Sequence, residues 1–172
     1  MPKQRVFVDT NIILEAFRTG CWSTITARYS IETVEKCIEE ALTGDPDEPG
    51  RINVDTVQLH ALLSGRHQVS DLALASFSLA HPVWAGLDDG ERHLLAWLKD
   101  TVLLGNAMIA ISTADRAAVT SAFALGCNDS LISLEELVVT AGGNRPSGVT
   151  LRKHFSKQWL SQLKTDLLLR GM

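Results

Sequence analysis

An acidic residue directly after a short apolar run, near the beginning of the chain, constrains the fold more than any other feature. Residues 6–8 (Val-Phe-Val) have strand-forming side chains, and Asp9 follows them at once. A second apolar run, residues 12–17, then has the character of a helix. This order predicts a buried parallel strand that turns directly into a helix and holds Asp9 at its carboxyl end, where ligand sites of open α/β sheets collect. A simpler interpretation is that Asp9 and Thr10 only cap the helix, since both residue types favour that position.

The composition indicates one domain, or one domain with an extension. The chain has 172 residues, of which 45% are hydrophobic and 21% are charged, and this is enough for a sizeable core. No apolar run approaches the ~18–20 residues that span a membrane, and Asp9 interrupts any apolar signal segment at the N-terminus. We therefore expect a cytoplasmic protein without a membrane partner. Three widely spaced cysteines match no zinc pattern, and we expect them to be reduced and mostly buried: Cys21, Cys37 and Cys127.

Short strands alternate with helices along the chain, which favours an α/β fold with a parallel sheet covered on both faces. Strands are predicted at residues 6–8, 28–32, 107–112 and 130–133, and the stretch 22–29 is ambiguous but compatible with a helix. Helices are predicted at residues 12–18, 34–42 (with Thr33 as N-cap), 54–64, 70–79, 91–97, 115–124, 134–140 and 149–169.

The same pattern divides the chain into a domain at residues 1–145, with a helical insertion at 45–82, and a C-terminal helical extension at 146–172. Three histidines lie in or beside the insertion at irregular spacing. We expect them to be surface or packing residues rather than metal ligands: His60, His67 and His81.

Two of the predicted strands end in the same way, with an acid just beyond the apolar run. Asp9 follows the first, and Asp115 follows residues 108–111 after Ser-Thr-Ala. If these strands are neighbours in a parallel sheet, both carboxylates point into one crevice, which Glu91 could also reach. Carboxylates so close raise one another's pKa, and divalent cations make such a cluster tolerable. Mg²⁺ and Mn²⁺ prefer oxygen ligands and can activate water for phosphodiester hydrolysis.

The net charge of −4 argues against a protein that holds nucleic acid by bulk positive charge. It does not exclude an enzyme whose acidic pocket is neutralised by bound cations.

Three segments in this order resemble PIN-domain nucleases over residues 5–140: Val-Phe-Val-Asp-Thr-Asn-Ile-Ile at 6–13, Asp-Gly-Glu-Arg at 89–92, and Ile-Ser-Thr-Ala-Asp-Arg-Ala-Ala at 111–118. The resemblance implies a Rossmann-like α/β/α sandwich and hydrolysis of RNA by a water that Mg²⁺ or Mn²⁺ activates. It also implies two possible protein partners, an antitoxin, as in toxin–antitoxin pairs, and a second copy of the chain. By the same resemblance three acids are metal ligands and two further residues orient them or the water: Asp9, Glu91 and Asp115, with Asn11 and Thr113.

A fourth catalytic acid is implied by the resemblance in the helix 34–42. Glu40 matches the family pattern best, and Glu35 and Glu39 remain alternatives because a shift of one position rotates a helical side chain by ~100°. Glu35 has a structural explanation in the first turn, where an acid complements the helix dipole. Asp88 and Asp89 could hold a metal-bound water, although adjacent acids before a helix are more often a solvated cap.

The extension from residue 149 onward is basic and amphipathic, and it lies outside the resemblance. Its apolar side chains predict a helix that packs on the core or on a partner. Its cations suggest a rim that steers an RNA backbone, with Arg152, Lys153 and Lys157 as candidate substrate-binding residues.

Two other functions compete with a nuclease. The chain could be a catalytically weak or inactive binding module for RNA or protein, as its acidic net charge suggests. It could also be a phosphohydrolase that uses Asp9 as a nucleophile. Such enzymes usually have a second Asp two positions on, and Asn11 in that place counts against this route.

Overall fold

A four-stranded, all-parallel sheet forms the centre of the molecule. The computed structural model describes residues 2–45, 47–81, 86–101, 103, 106, 108–142 and 149–171. The strands are β1 (Arg5–Val8), β2 (Ser30–Val34), β3 (Gly65–His67) and β4 (Ile109–Ser112). Their order is β3-β2-β1-β4, and every neighbouring pair is parallel. The predicted α/β class with a central parallel sheet is therefore confirmed.

Helices connect and cover these strands. The α-helices of the described residues are α1 (Thr10–Arg18), α2 (Trp22–Arg28), α3 (Glu35–Leu42), α4 (Thr56–Leu62), α5 (Asp71–Ala80), α6 (Asp89–Asp100), α7 (Arg116–Ala124), α8 (Leu134–Thr140) and α9 (Lys157–Leu169). Short 3₁₀ turns lie at Asn128–Ser130 and Lys153–Phe155. None of the described helices combines the length and the apolar character that crossing a bilayer would need.

Successive residues along the central strands are buried, so neither face of the sheet is open to water. Val6, Phe7 and Val8 are each 0% exposed, and all four residues of β4 are buried. Side chains of neighbouring strand residues point to opposite faces, which means that helices cover the sheet on both sides. This is the Rossmann-like arrangement of a parallel sheet between helical layers.

The strand order reverses at β1. Strands β2 and β3 lie on one side of it, and β4 lies on the other. Val8, the last residue of β1, is in register with Ser112, the last residue of β4. Open parallel sheets place ligands in the crevice outside the carboxyl ends of the strands at such a switch point. The expectation that the two acid-bearing strands are neighbours is thus confirmed.

The segment predicted as a helical insertion also contains a strand. β3 pairs with β2 through the register Glu32↔Gly65 and Val34↔His67, so residues 45–82 contribute the edge of the sheet. The sequence Gly-Arg-His has no strand-forming run, and tertiary contacts rather than local propensity fix its conformation. His67 stacks on Trp97 of α6 with ring centroids 3.8 Å apart, in agreement with its predicted packing role.

The prediction that Thr33 is the N-cap of the following helix is wrong, since Val34 occupies that position. Thr33 is the fourth residue of β2, and its hydroxyl donates to the carbonyl oxygen of Val8 at 2.6 Å. The helix begins only at Glu35. The β-branched Thr33 fits the strand, and its cross-strand hydrogen bond ties β2 to the end of β1.

Two other predicted elements are shorter than expected. The strand at 130–133 is reduced to a single parallel bridge between Ile111 and Leu131 beside a 3₁₀ turn. The terminal helix begins at Lys157, not at residue 149, because Ser156 caps it by accepting a hydrogen bond from the backbone N–H of Trp159 at 3.2 Å. Parts of the predictions that fall on residues 46, 82, 107 and 143–148 lie outside the described residues.

The C-terminal extension shares the core of the domain that precedes it. Four of its apolar side chains are each 3% exposed and pack with the rest of the core: Phe155, Leu160, Leu163 and Leu167. The buried carboxylate of Glu15 in α1 accepts hydrogen bonds from the Arg18 side chain and, at 2.8 Å, from the backbone N–H of Arg152. These contacts, above all the Arg18 hydrogen bond, outweigh burial and lower the pKa of Glu15. The packing role predicted for this extension is confirmed.

The three cysteines are free and buried, as predicted: Cys21, Cys37 and Cys127.

Candidate active site

Asp9 lies at the carboxyl end of β1 and is the N-cap residue of α1. Its Oδ1 accepts a hydrogen bond from the backbone N–H of Ile12 at 2.9 Å. The side chain is only 1% exposed, and Oδ2 is buried without a well-formed hydrogen bond among the described residues. One oxygen therefore caps the helix, and the other remains available to a ligand.

Asp115 repeats this geometry at the end of β4. It caps α7, and its Oδ1 accepts from the backbone N–H of Ala118 at 2.9 Å. The backbone N–H of Asp115 donates to Oγ1 of Thr113 at 3.2 Å. Thr113 is 6% exposed, whereas Asp115 is partly exposed. Asp115 thus stands at the boundary between the buried crevice and solvent.

Glu91 comes from the first turn of α6. Its Oε2 accepts from the backbone N–H of Asp88, the N-cap residue, at 3.3 Å. Its Oε1 is buried without a hydrogen-bond partner among the described residues, and the residue is 5% exposed. The capping and ligand-binding interpretations are compatible in all three acids, because a carboxylate has two oxygens. Acids at helix N-termini are also favoured by the helix dipole.

The three carboxylates are close enough to perturb one another. The pKa of Asp9 is raised to about 6, chiefly by burial and further by the charge of Asp115, although the nearby Thr113 hydroxyl and the backbone N–H of Ile12 oppose this. The pKa of Glu91 is raised to about 8 by burial and by the charges of Asp115 and Asp9. Burial and like charge are the two influences that disfavour an ionised carboxyl group.

A cavity of about 10 Å³ lies between Asp9, Glu91 and Thr113, with apolar walls that include Leu94 and Ile111. This volume is about that of one water-sized sphere. A larger open pocket of about 480 Å³ is lined by Gly86, Leu87, Asp115, Arg116, Ala117, Thr120 and Ser121. Asp115 therefore lines a pocket of molecular size, and its charge also acts on Asp9 and Glu91 beside the small cavity.

A divalent cation fits the chemistry of this donor set. Among the described residues, Asp9 Oδ2 and Glu91 Oε1 are buried oxygens without a well-formed hydrogen bond, and a cation would offset the burial and like charge that raise the pKa of both groups. In the part of the chain that the structure describes, no three His, Cys, Asp or Glu side chains are grouped closely enough to enclose an ion. Mg²⁺ usually keeps several of its waters, so not every acid of such a site has to contact the ion directly.

Of the three glutamates in α3, Glu40 is the one that faces the site. Its Oε2 accepts from the Thr10 hydroxyl at 2.6 Å, and its Oε1 accepts from the backbone N–H of Gly90 at 2.9 Å. Glu35 and Glu39 are exposed, and Glu39 pairs with Lys36 at 3.1 Å. The preference for Glu40 thus agrees with the geometry, but the contacts are to protein groups that flank Asp9 and Glu91.

The supporting residues divide into two kinds. Thr113 interacts with both acids, because its Oγ1 accepts from the backbone N–H of Asp115 and its hydroxyl opposes the raised pKa of Asp9. The side-chain amide of Asn11 makes no hydrogen bond with the described residues, and its backbone N–H helps to lower the pKa of Asp9 instead. Asp88 and Asp89 are exposed. Asp88 caps α6 and adds to the charge on Glu91, and Asp89 pairs with Arg92.

The candidate substrate-binding cations have neighbours in the fold. Arg152 lies 3.7 Å from the carboxylate of Glu15, and Lys157 lies 3.4 Å from that of Glu136. Lys153 is exposed in the 3₁₀ turn. Two of the three therefore fasten the extension to the core, and their binding of RNA stays a prediction.

Sequence reasoning missed Thr10 and Gly90 as partners of Glu40, and Arg116 as a lining residue of the larger pocket. Thr10 and Arg116 are adjacent to Asp9 and Asp115, and this adjacency was the only signal available for them. Gly90 had no signal, since its close approach to Glu40 depends on how α3 and α6 pack. Comparison with family models, curated proteins and solved structures gave no match to this chain.

Proposed function

We propose that this protein is a metal-dependent ribonuclease of the PIN type, with Asp9, Glu91 and Asp115 as its metal ligands. One observation supports this most strongly. Asp9 Oδ2 and Glu91 Oε1 are buried carboxylate oxygens without a well-formed hydrogen bond to the described residues, and both residues line one small cavity beside the carboxyl ends of adjacent parallel strands. Leaving such groups unpaired costs free energy unless a ligand uses them. RNA as the substrate rests on the resemblance of the three sequence segments.

The residues of the chain divide the work between them. Asp9 and Glu91 supply buried oxygens whose orientation is fixed by the N-termini of α1 and α6. Asp115, partly exposed at the edge of the larger pocket, meets the ligand shell from the solvent side. When bound, Mg²⁺ or Mn²⁺ would polarise the phosphodiester and lower the pKa of an attacking water.

Proton release accompanies loading of this site. Because the pKa of Glu91 is about 8, its carboxyl group is largely protonated at neutral pH when no cation is present. Ligand oxygens must be deprotonated, so cation binding displaces that proton and strengthens as the pH rises. Arg116, exposed beside Asp115 in the larger pocket, provides a positive charge where an RNA phosphate would approach.

The test is cleavage of a mixed pool of structured and unstructured RNA by the full chain with Mn²⁺, Mg²⁺ or EDTA. We expect metal-dependent cleavage that Asp9→Asn, Glu91→Gln and Asp115→Asn each abolish or reduce by at least ~100-fold, since each removes a charged ligand. Asp71→Asn, an exposed acid of α5, is the matched control and keeps activity. Full activity of the three site variants in EDTA-sensitive assays would overturn the proposal.

A non-catalytic binding module of the same fold is the second candidate. It is favoured by the lack, within the described residues, of three potential ligands grouped around one point. Titration of the wild-type chain with Mn²⁺, followed by electron paramagnetic resonance, separates the two. Millimolar Mn²⁺ without detectable binding and without cleavage supports the binding module. An antitoxin protein and a second copy of the chain are the partners that the resemblance proposes in either case.

A further inference from the structure

The side chain of Glu40 connects the beginnings of two helices that present the candidate metal ligands. Its Oε2 accepts from the hydroxyl of Thr10, the first residue of α1 and the neighbour of Asp9. Its Oε1 accepts from the backbone N–H of Gly90, the second residue of α6 and the neighbour of Glu91. A single carboxylate in α3 thus holds the residues next to both acids.

Close packing at Gly90 reinforces this connection. A Cβ atom at position 90 would lie 2.5 Å from Oε2 of Glu40, 2.9 Å from Oγ1 of Thr10 and 3.1 Å from Sγ of Cys37. The first two distances are shorter than van der Waals contact permits. The two atoms are also held by a hydrogen bond to each other, so neither can withdraw without breaking it. Glycine at position 90 therefore lets α6 approach α1 and α3 closely.

The oxygens of Glu40 contrast with those of the other acids. Both already accept hydrogen bonds from protein groups, whereas Asp9 Oδ2 and Glu91 Oε1 have no well-formed hydrogen bond to any described residue. Hydrogen bonds from a hydroxyl and from a backbone N–H to a charged oxygen are among the stronger ones in proteins. A cation at Glu40 would have to compete with both.

We infer that Glu40 is a positioning residue, which sets the separation of Asp9 and Glu91 by holding Thr10 and Gly90, and that it is not itself a ligand of the cation. This inference rests on the proposed function, which makes Asp9 and Glu91 the metal ligands. The contacts of Glu40 with Thr10 and Gly90 are independent of that function. Glu40→Gln can preserve both contacts, because its amide oxygen accepts from Gly90 and its amide nitrogen donates to the Thr10 oxygen. Glu40→Asp keeps the charge but is one methylene too short to reach both partners.

The first measurement is RNA cleavage as a function of Mn²⁺ concentration. We expect Glu40→Gln to keep its apparent Mn²⁺ affinity and its cleavage rate within about threefold of wild type. Glu40→Ala, Glu40→Asp and Thr10→Val should each lose about 10- to 100-fold in rate, because small displacements of catalytic groups have effects of that size. Combining Thr10→Val with Glu40→Ala should add little, since both remove the same connection. Glu48→Gln, at an exposed position outside α3, is the matched control.

The second measurement needs no activity. Hydrogen exchange of the Gly90 amide, followed by NMR, should be slow in wild type and in Glu40→Gln, and faster in Glu40→Ala and Glu40→Asp. If Glu40 were a ligand of the cation, Glu40→Gln would cleave RNA as poorly as Glu40→Ala, although its Gly90 amide would stay protected from exchange. That result would overturn the inference.

The two proposals can fail separately. A wild-type chain that neither cuts RNA nor binds Mn²⁺ contradicts the proposed function, and the exchange pattern then decides on the contacts of Glu40 alone. An active wild type whose Gly90 amide exchanges equally fast in all variants contradicts the positioning role.

Discussion

At the scale of single residues, the candidate site depends on how each carboxylate shares its two oxygens. Asp9, Glu91 and Asp115 each use one oxygen to hold the beginning of a helix. This requirement fixes the rotamer, so the second oxygen is oriented before any ligand arrives. The arrangement has a cost in the free chain, because two of these second oxygens are buried and face like charge.

Because of this cost, we expect variants that replace the carboxylate of Asp9 or Glu91 with an amide to gain stability in a pH-dependent way. The folded-state pKa of Asp9 is about 6 and that of Glu91 about 8, above their ordinary values of 3.8 and 4.5, so the folded chain binds these protons more tightly than the unfolded chain. Without divalent cations, the free energy of unfolding therefore falls as the pH rises from about 4 to about 8. Asp9→Asn and Glu91→Gln should each be more stable than wild type at pH 8, by on the order of 1–3 kcal/mol, and gain nothing at pH 4.

Urea titration in EDTA at the two pH values measures these differences. Asp71→Asn should show no pH-dependent gain, because that acid is exposed. Equal stability of wild type and Glu91→Gln at pH 8 would contradict the raised pKa of Glu91.

Asp9 and Asp115 could be predicted because each follows an apolar strand, whereas Glu91 joins them as a metal ligand through the resemblance of the three segments. The chemistry of Glu40 was less accessible. Helical periodicity restricts which glutamate of α3 faces inward, but only the packing of α3 against α1 and α6 shows that its oxygens contact Thr10 and Gly90. Local sequence therefore indicates the candidate acids, and tertiary packing shows which of their oxygens already contact protein groups.

At the scale of elements, strand β3 has little intrinsic strand propensity, and a contact with a buried acid of β2 helps to stabilise it. Glu32 of β2 is 6% exposed, and its carboxylate accepts from Arg5 at 2.6 and 2.9 Å and contacts Nε2 of His67 at 2.7 Å. These contacts, with the Arg5 hydrogen bond as the largest favourable one, outweigh burial and lower the pKa of Glu32. No short-range pattern could have predicted this strand, because Glu32 lies 35 residues before His67 in the sequence.

Gly65 of β3 predicts a test of this contact. A Cβ atom at position 65 would lie 2.7 Å from Oε2 of Glu32, whose carboxylate Arg5 and His67 already hold. Gly65→Ala should therefore lower the free energy of unfolding by about 1–3 kcal/mol, the usual cost of overpacking a well-packed site. Gly86→Ala is the matched control, because a Cβ atom there meets no atom within 4 Å. Thermal unfolding of both variants measures the difference, and a Gly65→Ala chain as stable as wild type would show that Glu32 can yield.

At the scale of the whole molecule, one hydrophobic core contains side chains from the sheet, from its helices and from the C-terminal extension. The C-terminal extension packs α9 against α7 and α8, and its buried leucines join the core of the sheet domain. The amphipathic pattern predicted that this helix would pack, but its place on α7 and α8 depends on contacts between residues far apart in sequence. We therefore expect the extension and the sheet to unfold together.

Leu163 tests this expectation. It is 3% exposed, and Leu163→Ala should reduce the free energy of unfolding of the entire chain by about 2–4 kcal/mol, since it leaves a cavity in a shared core. Leu168→Ala, at a position that is 60% exposed, should change stability by less than about 0.5 kcal/mol. Circular dichroism and tryptophan fluorescence should report one coincident transition in each variant. Separate transitions would show that the extension unfolds independently.

The position of β1 in the middle of the sheet has a consequence for the chain during translation. Arg5 pairs with Ser30 on one side and with Ile109 on the other. A nascent chain can therefore cover the first side early, whereas the second stays open until more than half of the protein has left the ribosome. Until β4 pairs with it, β1 presents unpaired backbone groups and apolar side chains. Such features allow nascent chains that are translated from the same mRNA to associate with each other. Slow elongation between the codons for α3 and β4 would lengthen that exposure, and chaperones that bind apolar strands would shorten it.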